Sequence, residues 1–201
     1  MTKKELRDLI QAKDPSVVFK AKTWIDEARP KTIKRRLKFD HMFLVPRIHR
    51  GGGLVLFWKE SMNLRVETSS KNHIDCIIRG GSEGAWRFTG FYGEPITHKR
   101  HESWSLCQLN NQFDLPWLCI GDFNEILRGF EKKCGSSKSY AQMQLFRDAI
   151  DKRGFLNMGY KGNPFLWKNS IKVGKPFGRG WIGVSQTMSG LYGLEVRRCI
   201  N

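Results

Sequence analysis

The sequence predicts an α/β protein with mixed sheets whose outer faces are covered by helices. Segments typical of strands outnumber segments typical of helices, and the helical segments lie at both ends and in the middle of the chain. The 201 residues are 40% hydrophobic and 12% aromatic, which is enough for one folded domain with a sizeable core. A disordered chain is excluded by the same composition.

The first third of the chain predicts a helix and two strands. The segment TKKELRDLIQAK starts with a capping box formed by Thr2 and Glu5 and has apolar residues at helical spacing, so a helix is expected up to Asp14-Pro15. The β-branched run SVVFKA predicts a strand. A basic segment follows, WIDEARPKTIKRRLKFD, which is either helical or a loop, and HMFLV predicts the next strand.

The middle of the chain predicts most of the strands. GGGLVLFW and NLRVET are expected to be the two arms of a hairpin, and HIDCIIR and WRFTGFY the strands that follow. Residues 97–113 predict a helix, and PWLCIG predicts a buried strand. A second clear helix is expected over residues 139–153, with Gly154 just after its end.

The charge of the chain indicates a polyanionic partner. Lys and Arg total 35 against 19 Asp and Glu, a formal charge of +16, which favours nucleic acid first and an acidic membrane second. A merely soluble basic protein is the alternative. The five scattered cysteines include no C-x-x-C pair, and no apolar stretch approaches the length of a membrane span. We therefore expect an intracellular protein, cytoplasmic or nuclear, with no membrane contact.

An acid and an amide follow the strand PWLCIG. Asp122 is expected to emerge at the carboxyl end of this strand with Asn124 two residues later, and this edge of an α/β sheet is where ligands bind. A carboxylate can take a proton from water or hold a metal ion, and an amide can orient a phosphate, so the pair suits phosphodiester hydrolysis. The alternative is ordinary turn chemistry, since Asp often follows Gly in turns.

Ordered blocks of sequence resemble one known family. RDLIQAKDPSVVF, GGGLVLFWKES, WRFTGFYGEPITHKRHESW, PWLCIGDFNEIL and GFLNMGYKGNPFLWKN are similar to the blocks of the endonuclease/exonuclease/phosphatase superfamily, which has the DNase I-like fold. Within it, the chain most resembles the endonuclease domain of plant LINE-type (non-LTR) retrotransposons. The resemblance runs from about residue 6 to about residue 174 and implies a four-layer αββα sandwich that hydrolyses DNA phosphodiesters with Mg²⁺.

The resemblance implies a role for three residues. Asp122 would activate the attacking water, and Asn124 would contact the scissile phosphate. Tyr92, at the end of WRFTGFY, matches a tyrosine that hydrogen-bonds the phosphate. The alternative for Tyr92 is an ordinary amphipathic residue at a strand end.

One departure from the family affects the metal. Lys22 stands where the family has a glutamate that binds Mg²⁺, and Mg²⁺ requires oxygen ligands that lysine does not supply. No metal ligand set is therefore expected to be intact. In the alternative, Lys22 points to solvent and Asp26 or Glu27 supplies the ligand.

The resemblance also implies that the fold is incomplete at both ends. The family's amino-terminal block, with its central strand and phosphate-site Asn, is absent, so an unpaired sheet edge is expected. We interpret residues 1–175 as a partial endonuclease/exonuclease/phosphatase domain. Residues 176–201 match nothing in the family, and we expect a poorly ordered, out-of-frame tail there, because GRGWIG can be encoded one nucleotide away from the family's Leu-Asp-Arg block.

Two basic clusters are candidates for nucleic-acid contact. In KTIKRRLK, the charges form either a contact to nucleic acid or the solvated face of a helix. In HKRH, the basic residues are expected near the rim of the site. The candidate phosphate contacts are Lys34, Arg35, Arg36, Lys99 and Arg100.

Three functions remain open from the sequence. The first is a Mg²⁺-dependent DNA endonuclease domain of retrotransposon origin, catalytically impaired in this copy because several groups of the site are replaced or absent. The second is a basic module that binds nucleic acid non-specifically without cutting it. The third is a non-functional product that barely folds.

Overall fold

The computed structural model describes residues 3–23, 30–47, 53–100, 114–131, 137–152, 155, 186–187 and 191–194. The α-helices in this part of the chain are α1 (Lys3–Lys13), α2 (Pro30–Arg36) and α3 (Tyr140–Asp151). Short 3₁₀ helices span Glu60–Met62, Thr97–Lys99 and Gly129–Glu131. The strands are β1 (Val17–Thr23), β2 (His41–Val45), β3 (Gly53–Trp58), β4 (Leu64–Ser70), β5 (His73–Ile78), β6 (Trp86–Tyr92), β7 (Trp117–Asp122), β8 (Gln186–Thr187) and β9 (Leu191–Leu194).

The strands form two sheets. Sheet A has the order β2-β3-β1-β9-β8, and its neighbouring strands are antiparallel. Sheet B has the order β4-β5-β6-β7, with antiparallel pairs except for β6 and β7, which are parallel. The parallel pair matters for function, because it brings two carboxyl ends of strands to the same edge of the sheet.

The core lies between the two sheets. Phe19 of β1 is fully buried, and its ring packs on Gly90 of β6, where a Cβ atom would meet the ring at 2.3 Å. Residues of both sheets form one buried apolar cluster, which includes Val17, Phe19, Leu54, Leu56, Ile74, Cys76, Ile78, Phe88 and Ile120. Burial of such side chains stabilises the fold by about 1.5–3 kcal/mol each.

Helices cover the outer faces of the sheets. Ile10 of α1 and Ile33 of α2 pack with Val18 and Val55, which belong to the face of sheet A turned away from sheet B. On the other side of the molecule, the buried Phe146 of α3 lies 5.7 Å, between ring centroids, from Phe123, which in turn lies 4.9 Å from Phe91 of β6. The described residues therefore form an α/β sandwich, as the sequence predicts.

Most predicted elements are confirmed. α1 ends at Lys13, and the following Asp14 has a positive φ of 40°. α3 forms within the predicted range 139–153, and its N-cap is Ser139, whose side chain accepts a hydrogen bond from the Gln142 N–H. The strands expected in SVVFKA, HMFLV, HIDCIIR and WRFTGFY are β1, β2, β5 and β6.

The predicted hairpin between β3 and β4 is wrong. Both strands form, but β3 belongs to sheet A and β4 to sheet B. The 3₁₀ helix Glu60–Met62 carries the chain from one sheet to the other, and the buried Met62 joins the core between them. Asn63 follows in the left-handed region at φ 41°, which redirects the chain into β4. Alternating apolar residues show that a strand forms, but they do not show which sheet it joins.

The predicted burial of β7 is only partly correct. Within the described residues β7 is the last strand of sheet B, and of its side chains only Ile120 is fully buried. In sheet A, β1 pairs on both sides, with β3 on one and β9 on the other, and the expected incompleteness of the fold stays a prediction.

Some predictions fall largely outside the described residues. Of the expected helix 97–113, only residues 97–100 are described, and they contain the 3₁₀ helix Thr97–Lys99. Of the expected tail 176–201, the structure describes β8 and β9 alone, so the frameshift and the domain boundary stay predictions. In the part of the chain that is described, no helix is long and apolar enough to cross a membrane.

Candidate functional site

The parallel pair of strands places two of the predicted site residues side by side. In the register of β6 and β7, Tyr92 lies opposite Asp122 at the carboxyl ends of both strands. The close approach requires glycine at position 121, because a Cβ atom there would lie 1.8 Å from the Phe91 carbonyl oxygen. The glycine that precedes the acid in the sequence is therefore a packing requirement of this edge.

Hydrogen bonds fix the loop that follows β7. Asp122 Oδ1 accepts a hydrogen bond of 2.9 Å from the Asn124 N–H, and Asn124 is held at a positive φ of 54°. Asn124 is 3% exposed, and its Nδ2 donates to the Gly93 carbonyl oxygen at 2.6 Å. The turn that the sequence offered as the alternative is thus present. Its hydrogen bonds hold Asp122 and Asn124 at the carboxyl end of β7.

Lys22 joins this edge from the other sheet because β1 contains a bulge. Ala21 pairs with Leu54 and Thr23 pairs with Gly53, so Lys22 is the extra residue between them, with a positive φ of 55°. Regular alternation would point residue 22 away from the face on which Ala21 packs against sheet B. The bulge changes this direction.

The ammonium group of Lys22 lies beside both candidate catalytic residues. Its Nζ is 4.0 Å from Asp122 Oδ2 and 5.2 Å from the centroid of the Tyr92 ring. The side chain of Lys22 is 46% exposed, whereas that of Asp122 is 15% exposed. Lys22 is thus both exposed and beside Asp122, and Asp26 and Glu27, the alternative ligands, lie outside the described residues.

The donors at this edge do not fit Mg²⁺. Asp122 has one carboxylate oxygen bonded to the loop and the other next to the Lys22 ammonium, which repels a divalent cation. Among residues 3–23, 30–47, 53–100, 114–131 and 137–152, no group of three or more His, Cys, Asp or Glu side chains is placed to hold a metal ion. The edge as described combines one carboxylate, one ammonium and one phenol.

A second acid next to the site was not assigned a role from the sequence. Glu125 is 4% exposed, and its carboxylate forms ion pairs with Arg100 Nη1 at 3.3 Å and with Lys138 Nζ. Lys138 Nζ also donates to the Asn124 carbonyl oxygen at 3.1 Å. This buried group connects the loop after β7 with the segments before and after it. No local pattern could identify it, because its three members are far apart in the sequence.

The predicted nucleic-acid contacts divide into exposed and buried residues. Lys99, Arg35 and Arg36 are exposed. Lys34 is half-buried, and its Nζ donates to the Asp40 carbonyl oxygen at 2.5 Å. Arg100 is only 4% exposed and donates to the Glu94 and Pro95 carbonyl oxygens as well as to Glu125, so its predicted role as a surface contact does not fit its burial.

The exposed cations on α2 are not part of the edge that carries Tyr92 and Asp122. α2 packs through Ile33 on the outer face of sheet A, on the side away from sheet B. Its neighbouring residues Lys34, Arg35 and Asp40 line a pocket of about 540 Å³ together with Thr32 and Phe39. Contact of this cluster with nucleic acid stays a prediction, and the alternative of a solvated helix face is equally compatible with the structure.

No family model matches the chain, and no curated protein matches it.

Proposed function

We propose that the chain is a nucleic-acid-binding domain derived from a DNase I-like, Mg²⁺-dependent DNA endonuclease of retrotransposon origin, and that hydrolysis is impaired in this copy. The observation that carries the proposal is the position of Lys22 Nζ, 4.0 Å from Asp122 Oδ2 and 5.2 Å from the Tyr92 ring. In the family that the sequence resembles, a glutamate that binds the metal occupies this position.

The convergence of these three residues supports the family assignment independently of their order in the sequence. Lys22, Tyr92 and Asp122 come from β1, β6 and β7, and they meet at one edge of an α/β sandwich. The resemblance predicts that these positions belong to one site, although residues 22 and 122 lie in different sheets. An arbitrary basic fold would have no reason to bring them together.

The side chains at this edge suit binding of a phosphate group. An ammonium group attracts a phosphodiester and donates hydrogen bonds to its oxygens. The Tyr92 phenol is a further donor near the same point. Asp122 opposes an anion, but its charge is balanced locally by Lys22. The formal charge of +16 adds a non-specific attraction for the nucleic-acid backbone.

Hydrolysis is expected to be weak for the same reason. Metal-dependent cleavage requires oxygen ligands that hold a cation against the scissile phosphate. Lys22 supplies a positive charge but can neither coordinate a cation nor generate a hydroxide from a bound water. Because groups of a catalytic site act as a unit, loss of a metal ligand removes most of the activity.

Plasmid nicking and duplex binding test the proposal together. Supercoiled plasmid is incubated with Mg²⁺ and the native chain, a Lys22→Glu chain or an Asp122→Ala chain, and binding of a labelled duplex is measured in EDTA. We expect the native chain to bind the duplex without metal and to nick no more than the Asp122→Ala chain. We expect Lys22→Glu to weaken duplex binding several-fold, because it reverses a charge at the phosphate site.

A matched control separates the site from the general charge. Arg79→Glu makes the same charge change at an exposed residue that also has a positive φ, 57°, and that follows β5 at the end of sheet B opposite Tyr92. We expect a smaller loss of binding for this variant. Nicking by the native chain that disappears in Asp122→Ala would overturn the claim of impaired hydrolysis. Absence of duplex binding at about 0.1 M salt would overturn the claim of nucleic-acid binding.

A further inference from the structure

Two aromatic rings are unusually exposed next to the loop that carries Asp122 and Asn124. Phe130 and Tyr140 are each 71% exposed, although large aromatic side chains normally bury most of their surface. Phe130 belongs to the 3₁₀ helix Gly129–Glu131, and Tyr140 is the first residue of α3. A single exposed ring would need no explanation, but these two share further features.

An arginine lies against each ring. Arg128 Cζ is 5.9 Å from the centroid of Phe130, and Arg147 Cζ is 5.2 Å from the centroid of Tyr140. The two pairs are joined through the backbone, because Arg147 Nη1 donates to the Leu127 carbonyl oxygen at 2.8 Å and Arg128 is the next residue. The rings and their arginines therefore belong to one surface, which we call the ring surface (Leu127–Phe130, Tyr140 and Arg147).

Hydrogen bonds and a ring contact connect the ring surface to the loop of the candidate site. The Leu127 N–H donates to Glu131 Oε2 at 2.9 Å, which closes the turn below Phe130. Phe146 anchors α3 on Phe123, the residue between Asp122 and Asn124. Lys138, two residues before Tyr140, bonds to the Asn124 carbonyl oxygen. These contacts connect the ring surface to the loop that carries Asp122 and Asn124.

We propose that the ring surface stacks unpaired bases of a nucleic-acid strand, while the exposed Arg128 contacts a flanking phosphate. This inference rests on the proposed function and adds the form of nucleic acid that the site prefers. A base can stack on the face of a flat ring, and an adjacent guanidinium can bind a phosphate of the same strand. Such pairs bind single strands with little sequence preference. The formal charge of +16 favours a nucleic-acid strand over an apolar protein surface as the occupant.

The test compares single-stranded and duplex DNA on the same variants. Fluorescence anisotropy is measured with labelled oligo-dT and with a labelled duplex of equal length, in EDTA, over a series of salt concentrations. The Phe130→Leu/Tyr140→Leu double variant keeps an apolar side chain at both positions but has no aromatic ring on which a base could stack. We expect it to bind oligo-dT about tenfold more weakly or worse and to bind the duplex within about twofold of the native chain. The slope of log affinity against log salt should not change, because the rings release no counterions.

Two further variants serve as controls. Leu145→Ala removes an exposed apolar side chain, 55% exposed, from the same helix α3, and should leave both affinities unchanged. Arg128→Gln should lower the salt slope for oligo-dT by about 0.7, the value for one phosphate contact to a single strand. Circular dichroism melts of all variants exclude unfolding as the cause of lost binding.

The outcomes distinguish a failure of the stacking inference from a failure of the proposed function. If the native chain binds the duplex and the ring variant binds oligo-dT as well as the native chain does, the stacking inference is wrong and the proposed function stands. Equal loss for oligo-dT and duplex with unchanged melting also overturns stacking. If the native chain binds neither DNA, both the proposed function and the inference fall.

Discussion

At the scale of the residue, a single side chain sets the chemistry of the candidate site. Lys22 reaches Asp122 only because it is the bulged residue of β1, and its left-handed backbone conformation is costly for a residue with a Cβ atom. As a half-exposed ion pair, the contact with Asp122 contributes at most about 1 kcal/mol to stability. Its larger effect is on the local charge, since it places a positive charge at the edge of the sheet.

His73 is a second residue whose surroundings alter its chemistry. Its Nδ1 is 2.8 Å from Ser70 Oγ and its Nε2 is 3.1 Å from Thr68 Oγ1. Partial burial lowers the pKa of His73, and the nearby Arg87 lowers it further, whereas Asp75 acts in the opposite direction. The neutral form is thus favoured in the folded protein.

This pKa shift predicts a loss of stability in mild acid. The unfolded chain binds a proton at His73 near pH 6.5, and the folded chain binds it only at lower pH. Between these two values the unfolded state holds more protons, so the free energy of unfolding decreases as the pH falls through 6.5. Urea unfolding of the native chain and of His73→Gln at pH 7 and pH 5 measures the effect. We expect a smaller decrease in the variant, and an equal decrease would contradict the prediction.

At the scale of the element, the parallel pairing of β6 and β7 positions the site. The backbones approach so closely at Gly121 that a Cβ atom there would lie 1.8 Å from the Phe91 carbonyl oxygen. Gly121 also has a φ of 155°, which a residue with a side chain rarely adopts. A side chain at this position would push the two strands apart, and Asp122 would move with β7.

Gly121→Ala is therefore expected to destabilise the protein severely. The contact involves a backbone carbonyl that cannot rotate away, so we expect a loss of at least about 3 kcal/mol in the free energy of unfolding, measured by urea titration. Gly129→Ala is the matched control, since a Cβ atom at Gly129 meets nothing within 4 Å. Its effect should stay within about 0.5 kcal/mol. A similar loss in the free energy of unfolding for the two variants would contradict the prediction, because it would show that β6 and β7 can move apart without destabilising the protein.

Other elements of sheet B are tied together by buried polar groups. Asp75 of β5 accepts hydrogen bonds from the Arg87 guanidinium and from Thr89 Oγ1, both on β6. Trp117 of β7 then donates through Nε1 to Thr89 Oγ1 at 2.8 Å. Because removal of one partner would leave a buried charge or hydroxyl without its hydrogen bond, this network fixes the alignment of the three strands beneath the site.

At the scale of the whole molecule, the positive charge acts on stability and binding in opposite directions. The formal charge of +16 gives net repulsion within the folded chain and net attraction for a polyanion. Added salt screens both interactions over about 10 Å at 0.1 M. The salt concentration should therefore change the stability of the protein and its affinity for nucleic acid in opposite directions.

Increasing the salt concentration from about 0.05 to 0.5 M is expected to raise the melting temperature by a few degrees and to weaken duplex binding at least about 100-fold. Thermal melts without DNA and duplex titrations at the same salt concentrations measure the two effects. A duplex affinity that does not depend on salt would contradict backbone-phosphate binding. A non-cooperative melt at every salt concentration would instead favour the third possibility from the sequence, a product that barely folds.

Features that depend on neighbouring residues could be predicted from the amino-acid sequence alone. Apolar alternation located β1, β2, β5 and β6, and the helical pattern of residues 139–153 located α3, because burial on one face is a local requirement. Asp122 and Asn124 were identified by their position directly after the predicted strand PWLCIG. The basic composition indicated a polyanionic partner before any geometry was known.

Contacts between segments that are far apart in the chain could be seen only in the folded protein. The separation of β3 and β4 into two sheets, the direction of Lys22 at its bulge, and the ion pairs of Glu125 with Arg100 and Lys138 all depend on contacts between residues far apart in the chain. Such contacts are set by how the sheets pack as a whole, and no local periodicity records them.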